Sequence, residues 1–213
     1  MGKYSIDSPE GEFQPESNNK VLANQLDIVS VDEMNEVELM LLNQLYEEVL
    51  LTNLPNRTIS VDDLKLWHRR WLGNVYKWAG QERSVNVSKG GFLFASAALI
   101  PNLLGDFDKK CLSRWTPCSA LNTEDLVEGV AVTHVELILI HPFREGNGRL
   151  SRLLADVMMV QAGREPMDYS AWDTHKQSYI GAIHEGFRGN FEPMKYWVRV
   201  ASGLSDGGLN LPV

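Results

Sequence analysis

The feature that most constrains the fold is a pair of long apolar segments separated by a short polar loop. Residues 130–140, VAVTHVELILI, are apolar almost all round a helix, which is typical of a helix in the middle of a domain. Pro142 should end this helix, because a proline pushes the preceding residue out of the α region. The second segment, GRLSRLLADVMMVQAG, has the same character and ends at Gly163, a residue suited to a helix C-terminus. The sequence therefore predicts two buried helices joined by a loop, the second beginning near Asn147 or Gly148.

Most of the remaining chain has helical spacing, but one segment does not. In the first helical segment, apolar residues recur at three and four positions: Met34, Val37, Leu41, Leu45 and Val49. By contrast, residues 84–96, SVNVSKGGFLFAS, have an apolar residue at every second position: valines before a Gly-Gly pair and phenylalanines after it. This pattern is typical of a β-hairpin. A lone hairpin cannot form a core and must lean on the helices. We predict an all-α helical bundle with one small β-hairpin.

Composition and charge narrow the classes of function. The net charge of −8 argues against a nucleic-acid partner. No apolar run approaches the roughly 20 residues that span a bilayer, and the first 20 residues lack the apolar region of a signal peptide. We therefore predict a cytoplasmic protein without membrane contact, with export by a dedicated secretion machine as the alternative. Cys111 and Cys118 lack metal-ligand spacing and are interpreted as reduced thiols.

Polarity along the chain predicts its domain organisation. Residues 1–30 are polar, with two prolines and an SNN stretch, and are expected to form an N-terminal arm. Residues 31–203 are expected to form one domain, and residues 204–213 a C-terminal tail.

The loop HPFREGNGRL, residues 141–150, combines features of an anion site. The start of a helix presents unpaired backbone N–H groups and a partial positive charge. Glycines on both sides of Asn147 let an anion approach the backbone closely. Arg149 and Arg152 follow three residues apart, and their guanidinium groups can form bidentate bonds to phosphate. The sequence predicts a polyphosphate cradle formed by Gly146, Asn147, Gly148, Arg149 and Arg152.

Two further side chains of the loop suggest chemistry rather than binding alone. Glu145 beside an anion site is explained by Mg²⁺, which bridges phosphates and is held by one or two carboxylates. His141 is suited to accept a proton, because an imidazole ordinarily titrates near neutrality, with a pKa of about 6.5. Phe143 is interpreted as an apolar anchor of the loop. His134 is interpreted as a buried hydrogen-bonded histidine rather than a zinc ligand, since no third ligand is evident.

These residues resemble the signature of the Fic family, HxFx(D/E)GNGRxxR. Every specified position is matched, by His141, Phe143, Glu145, Gly146, Asn147, Gly148, Arg149 and Arg152. YKWAGQERSVNVSKGGF, residues 76–92, is similar to the segment leading into the flap hairpin of the family. YIGAIHEGFRGNFEPMKYWV, residues 179–198, is similar to its closing helices, so that the resemblance covers residues 31–203.

The resemblance implies an all-α Fic fold and transfer of AMP from ATP to a Tyr, Ser or Thr hydroxyl of a target protein. It implies that His141 deprotonates that hydroxyl and that Glu145 holds Mg²⁺ on the phosphates. Residues 146–148 would line the anion hole, with Arg149 and Arg152 on the outer phosphates. The flap would dock the target by strand addition, through Val85, Asn86, Val87, Ser88, Lys89, Gly90, Gly91 and Phe92.

The resemblance is incomplete in the regulatory segment. Many members carry an inhibitory (S/T)xxxE(G/N) motif whose Glu pairs with the second signature arginine, here Arg152. SVDEMN, residues 30–35, has Met34 at the Glu position, and GAIHEG, residues 181–186, lacks the leading hydroxyl. We therefore expect Arg152 to be unblocked within the chain and a separate antitoxin-like protein to supply the Glu.

Two other functions stay open at this point. One is Fic-type transfer of another group, such as UMP, phosphate or phosphocholine, although an intact EGNGR weighs against phosphorylation. The other is a nucleotide-responsive peptide-binding module without turnover, which would not need the base His141.

Overall fold

Helices make up most of the part of the chain that the structure describes. In this computed structural model the described residues are 12–204, so the outer parts of the predicted arm and tail, residues 1–11 and 205–213, lie outside them. The helices are α1 (Val31–Tyr46), α2 (Val61–Leu72), α3 (Ile100–Phe107), α4 (Ser113–Trp115), α5 (Thr123–Ile140), α6 (Asn147–Gln161), α7 (Ser170–Thr174), α8 (Lys176–Phe187) and α9 (Glu192–Ser202). Short π-helical segments at Glu47–Thr52 and Asp108–Leu112 and 3₁₀ turns at Ala97–Leu99 and Cys118–Ala120 extend or link them. The predicted all-α class is confirmed.

The predicted hairpin is present and very short. Strands β1 (Ser88–Lys89) and β2 (Phe92–Leu93) pair antiparallel, with Ser88 opposite Leu93. Gly90 and Gly91 have φ values of 58° and 83°, and a two-residue hairpin turn of this kind needs positive φ at both positions. The alternation before the turn does not extend the strand, and Val85 and Val87, which precede β1, are buried.

The ends of α5 and α6 follow local sequence signals. Helix α5 ends at Ile140, directly before the His-Pro pair, as predicted. Helix α5 is capped at its start by Asn122, whose side chain accepts the Asp125 N–H at 2.9 Å. Helix α6 begins at Asn147 and is followed by Gly163 with a φ of 72°, in agreement with the sequence.

The segment from Ser170 to Phe187 forms two helices rather than one. Helices α7 and α8 are separated at His175, whose φ and ψ are −105° and 43°. Helical periodicity continues across this residue, so the pattern does not reveal the break.

Two compact units can be distinguished among the described residues. The first comprises residues 12–53, Val61–Gly105 and Ile140–Leu150, and α2 packs against α1 within it. Its core includes Leu42, Leu45, Leu64, Trp71, Leu72 and Phe143. The described part of the predicted arm contributes buried Val21 and Ile28, and the Gln25 N–H donates to the Val75 carbonyl at 2.8 Å.

The second unit comprises Leu54–Ser60, Asp106–Leu139 and residues 151–204, and α8 packs against α9 within it. Trp172 is fully buried and its Nε1 donates to the Trp197 carbonyl at 2.9 Å. His134 is buried and hydrogen-bonded to Tyr179 at 2.8 Å, as predicted. Cys111 and Cys118 are free and buried, and burial raises the pKa of each thiol to about 12.

Within residues 12–204, no helix is both long enough and apolar enough to cross a membrane.

Two glycines of α8 provide a matched test of packing in the second unit. A Cβ at Gly186 would lie 2.5 Å from Cγ1 of Val135, a stiff β-branched side chain, whereas a Cβ at Gly181 would meet nothing within 4 Å. We expect Gly186→Ala to lower the free energy of unfolding by about 1–3 kcal/mol. Gly181→Ala should raise it by up to about 1 kcal/mol, because alanine favours the helix. Urea denaturation of both variants checks this, and equal midpoints would contradict the packing argument.

The buried His134 predicts a pH dependence of stability. Burial lowers its pKa to about 4, whereas the unfolded chain binds the proton near pH 6.5. The free energy of unfolding is therefore not reduced by this group above pH 6.5. It falls as the pH drops towards 4, by about 2 kcal/mol between pH 7 and pH 5, because the unfolded chain takes up the proton first. We expect His134→Gln to reduce the pH dependence of the free energy of unfolding over this range, and the exposed His175→Gln to leave it unchanged. An unaltered slope in His134→Gln would contradict the assignment.

Candidate active site

The loop between α5 and α6 is closed by the first residue of α6. The Asn147 side chain accepts the Phe143 N–H at 2.9 Å and donates to the Phe143 carbonyl at 2.8 Å. Asn147 is only 1% exposed, so its amide holds the loop. The side chain of Asn147 is thus engaged by the Phe143 backbone, and the anion-hole role that the resemblance implies for this residue stays a prediction.

The aromatic anchor of the loop stacks on a histidine that received no role from the sequence. Phe143 is buried and lies parallel to His68, with 4.0 Å between ring centroids. His68 Nδ1 accepts the Gly80 N–H at 2.8 Å, so Nε2 carries the proton and donates to the Glu145 carbonyl at 3.0 Å. Burial lowers the pKa of His68 to about 4, which keeps the ring neutral and preserves this arrangement at neutral pH.

The predicted base has an unusual backbone conformation. His141 has a φ of 50°, a region that costs a non-glycine residue free energy unless its surroundings hold it there. Its ring stacks on Phe94 of the hairpin segment, with centroids 3.8 Å apart and planes 16° from parallel. The His141 carbonyl accepts Arg83 Nε at 2.7 Å. The ring and the main chain of His141 are therefore both fixed.

Gly146 is required on two grounds. Its φ is 84°, and a Cβ would lie 2.7 Å from Cζ3 of Trp71. The Gly146 N–H donates to Oε1 of Glu145 at 3.0 Å, which fixes the carboxylate beside the start of α6. A side chain at this position would therefore be strained in the backbone and would also clash with the indole ring of Trp71.

Arg149 is held by a carboxylate that the sequence analysis missed. Its Nη1 lies 2.7 Å from Oε2 of Glu38, its Nη2 lies 3.5 Å from Oε1 of Glu145, and its guanidinium covers the Trp71 ring at 4.6 Å. Glu38 is itself buried, and its Oε1 accepts the Tyr76 hydroxyl at 2.7 Å. In the sequence Glu38 looks like one of several acids on the polar face of α1, so no local signal singles it out.

A cavity of about 660 Å³ in the first unit borders the loop at Arg144 and Glu145. Glu38 and Tyr76 also line it, together with residues from segment 13–22 and from the start of α1. Glu145, only 7% exposed, therefore contributes to the wall of this cavity and lies beside the start of α6.

Arg152 and the predicted flap complete the expected set. Arg152 belongs to the second unit, where its guanidinium forms two bonds to the Asp173 carboxylate, at 2.6 and 3.3 Å, and covers the Tyr169 ring at 4.7 Å. We expected Arg152 to be unblocked within the chain. Instead it pairs with Asp173, an exposed residue that is not part of any glutamate motif. In the flap, Lys89 and both glycines are exposed, whereas Val85 and Val87 point inward.

Comparison with known proteins identifies a family and relatives that resemble this chain. The model of the Fic/DOC family matches residues 58–159. Protein adenylyltransferase fic-1 of Caenorhabditis elegans is 31% identical over 83% of this chain, which spans about a third (34%) of that protein. The probable protein adenylyltransferase y4lH of Sinorhizobium fredii is 26% identical over 84% of this chain and 90% of its own length. The BepC protein of Bartonella tribocorum, solved with bound AMPPNP, has a TM-score of 0.69 and 22% identity over 84% of this chain and 91% of its own.

The complete signature, the helical fold with its small flap and the family match lead to one assignment: residues 58–159 of this chain form a Fic/DOC domain.

Proposed function

We propose that this chain is a protein adenylyltransferase, which moves AMP from ATP to a Tyr, Ser or Thr hydroxyl of a target protein. The observation that carries the proposal is the loop before α6, where His141, Glu145 and Arg149 are each fixed by other parts of the first unit. The names of fic-1 and y4lH support the reaction class, and the AMPPNP bound to BepC supports an adenine nucleotide in this fold.

The phosphates would bind at the start of α6. Backbone N–H groups at a helix N-terminus favour anions. Gly146, with its positive φ and no side chain, would let a phosphate come close to this backbone. Arg149 would contribute from a guanidinium that Glu38 and Trp71 already orient, so little side-chain entropy is lost on binding. Arg152 would contact the outer phosphates, a role in which phosphate competes with Asp173 for its N–H groups.

The donor set fits Mg²⁺ brought in with the nucleotide. Glu145 offers a carboxylate at the edge of the cavity, and Mg²⁺ in nucleotide sites commonly takes one or two carboxylates, with phosphates and waters completing its shell. Among residues 12–204 no cluster of three or more His, Cys, Asp and Glu side chains is placed to hold a metal ion. When bound, Mg²⁺ would neutralise charge on the phosphates.

His141 would act as general base. Its imidazole takes the proton of the target hydroxyl, the hydroxyl oxygen forms a bond to the α-phosphorus, and the bond from that phosphorus to pyrophosphate breaks. Such transfer depends mainly on positioning and electrostatics, which suits a base whose ring and main chain are both held.

The target would reach His141 along the flap. A hairpin edge can add a strand of another chain through main-chain hydrogen bonds, which places a hydroxyl without reading much side-chain sequence. The flap residues 85–92 are joined to His141 through the Phe94 ring, so a docked segment would lie near the base.

An antitoxin-like protein that supplies a glutamate to Arg152 is proposed as the inhibitory partner. Asp173 is 66% exposed on its side chain and lies at the surface, so an incoming glutamate could displace it. A cytoplasmic location is the corresponding prediction, because ATP and such a partner would both be met there.

Labelled ATP tests the reaction. The chain is incubated with Mg²⁺, a cell lysate and ATP labelled at the α or the γ phosphorus, alongside His141→Ala and the exposed control His175→Ala. We expect protein-bound α label that falls by at least about 100-fold in His141→Ala and is unchanged in His175→Ala. Transfer of γ label would indicate phosphorylation instead, and nucleotide binding without transfer would indicate a binding module; either result overturns the proposal.

Arg149→Lys tests the phosphate cradle separately. Lysine keeps the charge but loses the fork and the stacking on Trp71, so we expect the KM for ATP to rise by about tenfold or more while the chain stays folded. Steady-state kinetics of Arg149→Lys beside Arg70→Lys, a surface pair with Glu48, measure this. An unchanged KM in Arg149→Lys would remove Arg149 from the proposed site.

A further inference from the structure

Arg83 bonds to main-chain carbonyls from two separate parts of the first unit. It is only 3% exposed. Its guanidinium donates to the carbonyls of Val85 at 2.5 Å, Ala95 at 2.6 Å, His141 at 2.7 Å and Ile140 at 3.3 Å. Its own N–H donates to the Pro142 carbonyl at 2.8 Å.

The acceptors bracket both the flap and the predicted base. Val85 and Ala95 lie just before and just after the hairpin, so their carbonyls mark its two ends. Ile140, His141 and Pro142 are the last residue of α5 and the first two residues of the loop. One buried side chain therefore joins the hairpin at both ends to the residue that carries the proposed base.

Only arginine can satisfy this set of acceptors. A guanidinium has five N–H donors in a planar fork, whereas an ammonium group has three donors on one atom. A buried cation also needs compensating partners, and carbonyl dipoles on all sides supply them here. The arrangement is thus specific in shape as well as charge.

His141 depends on these contacts because its conformation is costly. A positive φ is strained for a non-glycine residue and persists only when neighbouring structure enforces it. Arg83 fixes the His141 carbonyl, and Phe94, the residue directly after β2, stacks on its ring. Both restraints connect to the hairpin.

We propose that Arg83 is a positioning residue that couples the flap to His141, so that movement of the flap is transmitted to the base. Arg83 does not touch the reacting atoms; it acts through the main chain of residues 140–142 and through the ends of the hairpin. The inference rests on the proposed function for its consequence in catalysis, whereas the mechanical coupling stands on the hydrogen bonds alone.

Hydrogen exchange of the wild-type chain tests the coupling without any substitution or activity. The reporters are amides bonded in each part: Phe94 N–H to the Val87 carbonyl in the flap, and Phe143 N–H to Asn147 in the loop. If Arg83 couples them, both open with the same dependence on low concentrations of denaturant, as one cooperative unit. Opening of the flap at a different midpoint, with the loop still protected, would overturn the proposal.

Arg83→Lys then tests the consequence for the reaction, with Arg70→Lys as matched control. We expect kcat to fall about 10- to 100-fold while the dissociation constant for Mg-ATP changes less than about threefold, because the base shifts and the cradle does not. Exchange in peptides covering residues 85–95 and 140–143 should rise together, and that of α1 should not. A folded Arg83→Lys with wild-type kcat and exchange would contradict the inference.

The two proposals fail in different ways. If the wild type transfers no AMP, the proposed function is wrong, and the exchange measurement still decides the coupling. If AMP transfer is normal but the flap and the loop exchange independently, only the coupling is wrong. Should Arg83→Lys fail to fold, as judged by circular dichroism, the wild-type exchange result alone decides.

Discussion

The pair of hydrogen bonds between the Asn147 side chain and the Phe143 backbone is the constraint on which the rest of the site depends. It sets the path of the loop, which in turn lets Phe143 stack on His68 and turns the Glu145 carbonyl towards His68 Nε2. The same path brings Gly146 against the Trp71 ring. Because these groups are buried, each bond left unmade would cost more than the bond itself contributes. The loop is therefore held as one piece.

The parts of the fold that could be predicted are those determined by neighbouring residues in the sequence. The end of α5 before Pro142, the start of α6 at Asn147, the glycine after α6 and the Gly-Gly turn of the hairpin all follow from the backbone preferences of one or two residues. His141, Glu145 and the two arginines were singled out because they lie within a dozen positions, and their roles stay predictions. Spacing could not assign the cap of α5, since Asn122 and Thr123 are both suitable caps.

Residues that act on the loop from a distance could not be predicted. Glu38 looks like a solvated acid on α1 until it is found buried between Tyr76 and Arg149. His68 received no role from the sequence, and Arg83 only formed part of the segment that leads into the flap, although both bond to the backbone of residues 140–145. Asp173, which accepts from Arg152, is an aspartate outside the glutamate motif that the family uses, so the sequence did not indicate it. Side chains that meet main-chain carbonyls far along the sequence leave no periodicity to detect.

The brevity of the hairpin has a consequence for how long a guest segment could stay. With two paired residues in each strand, the edge offers an added strand only a few main-chain hydrogen bonds, each worth about 1 kcal/mol net. Such a contact alone gives weak affinity, and weak affinity is expressed mainly as fast dissociation. A segment held this way departs soon after it arrives. The edge thus favours repeated brief visits, and discrimination among visiting proteins must come from surfaces beyond these four residues.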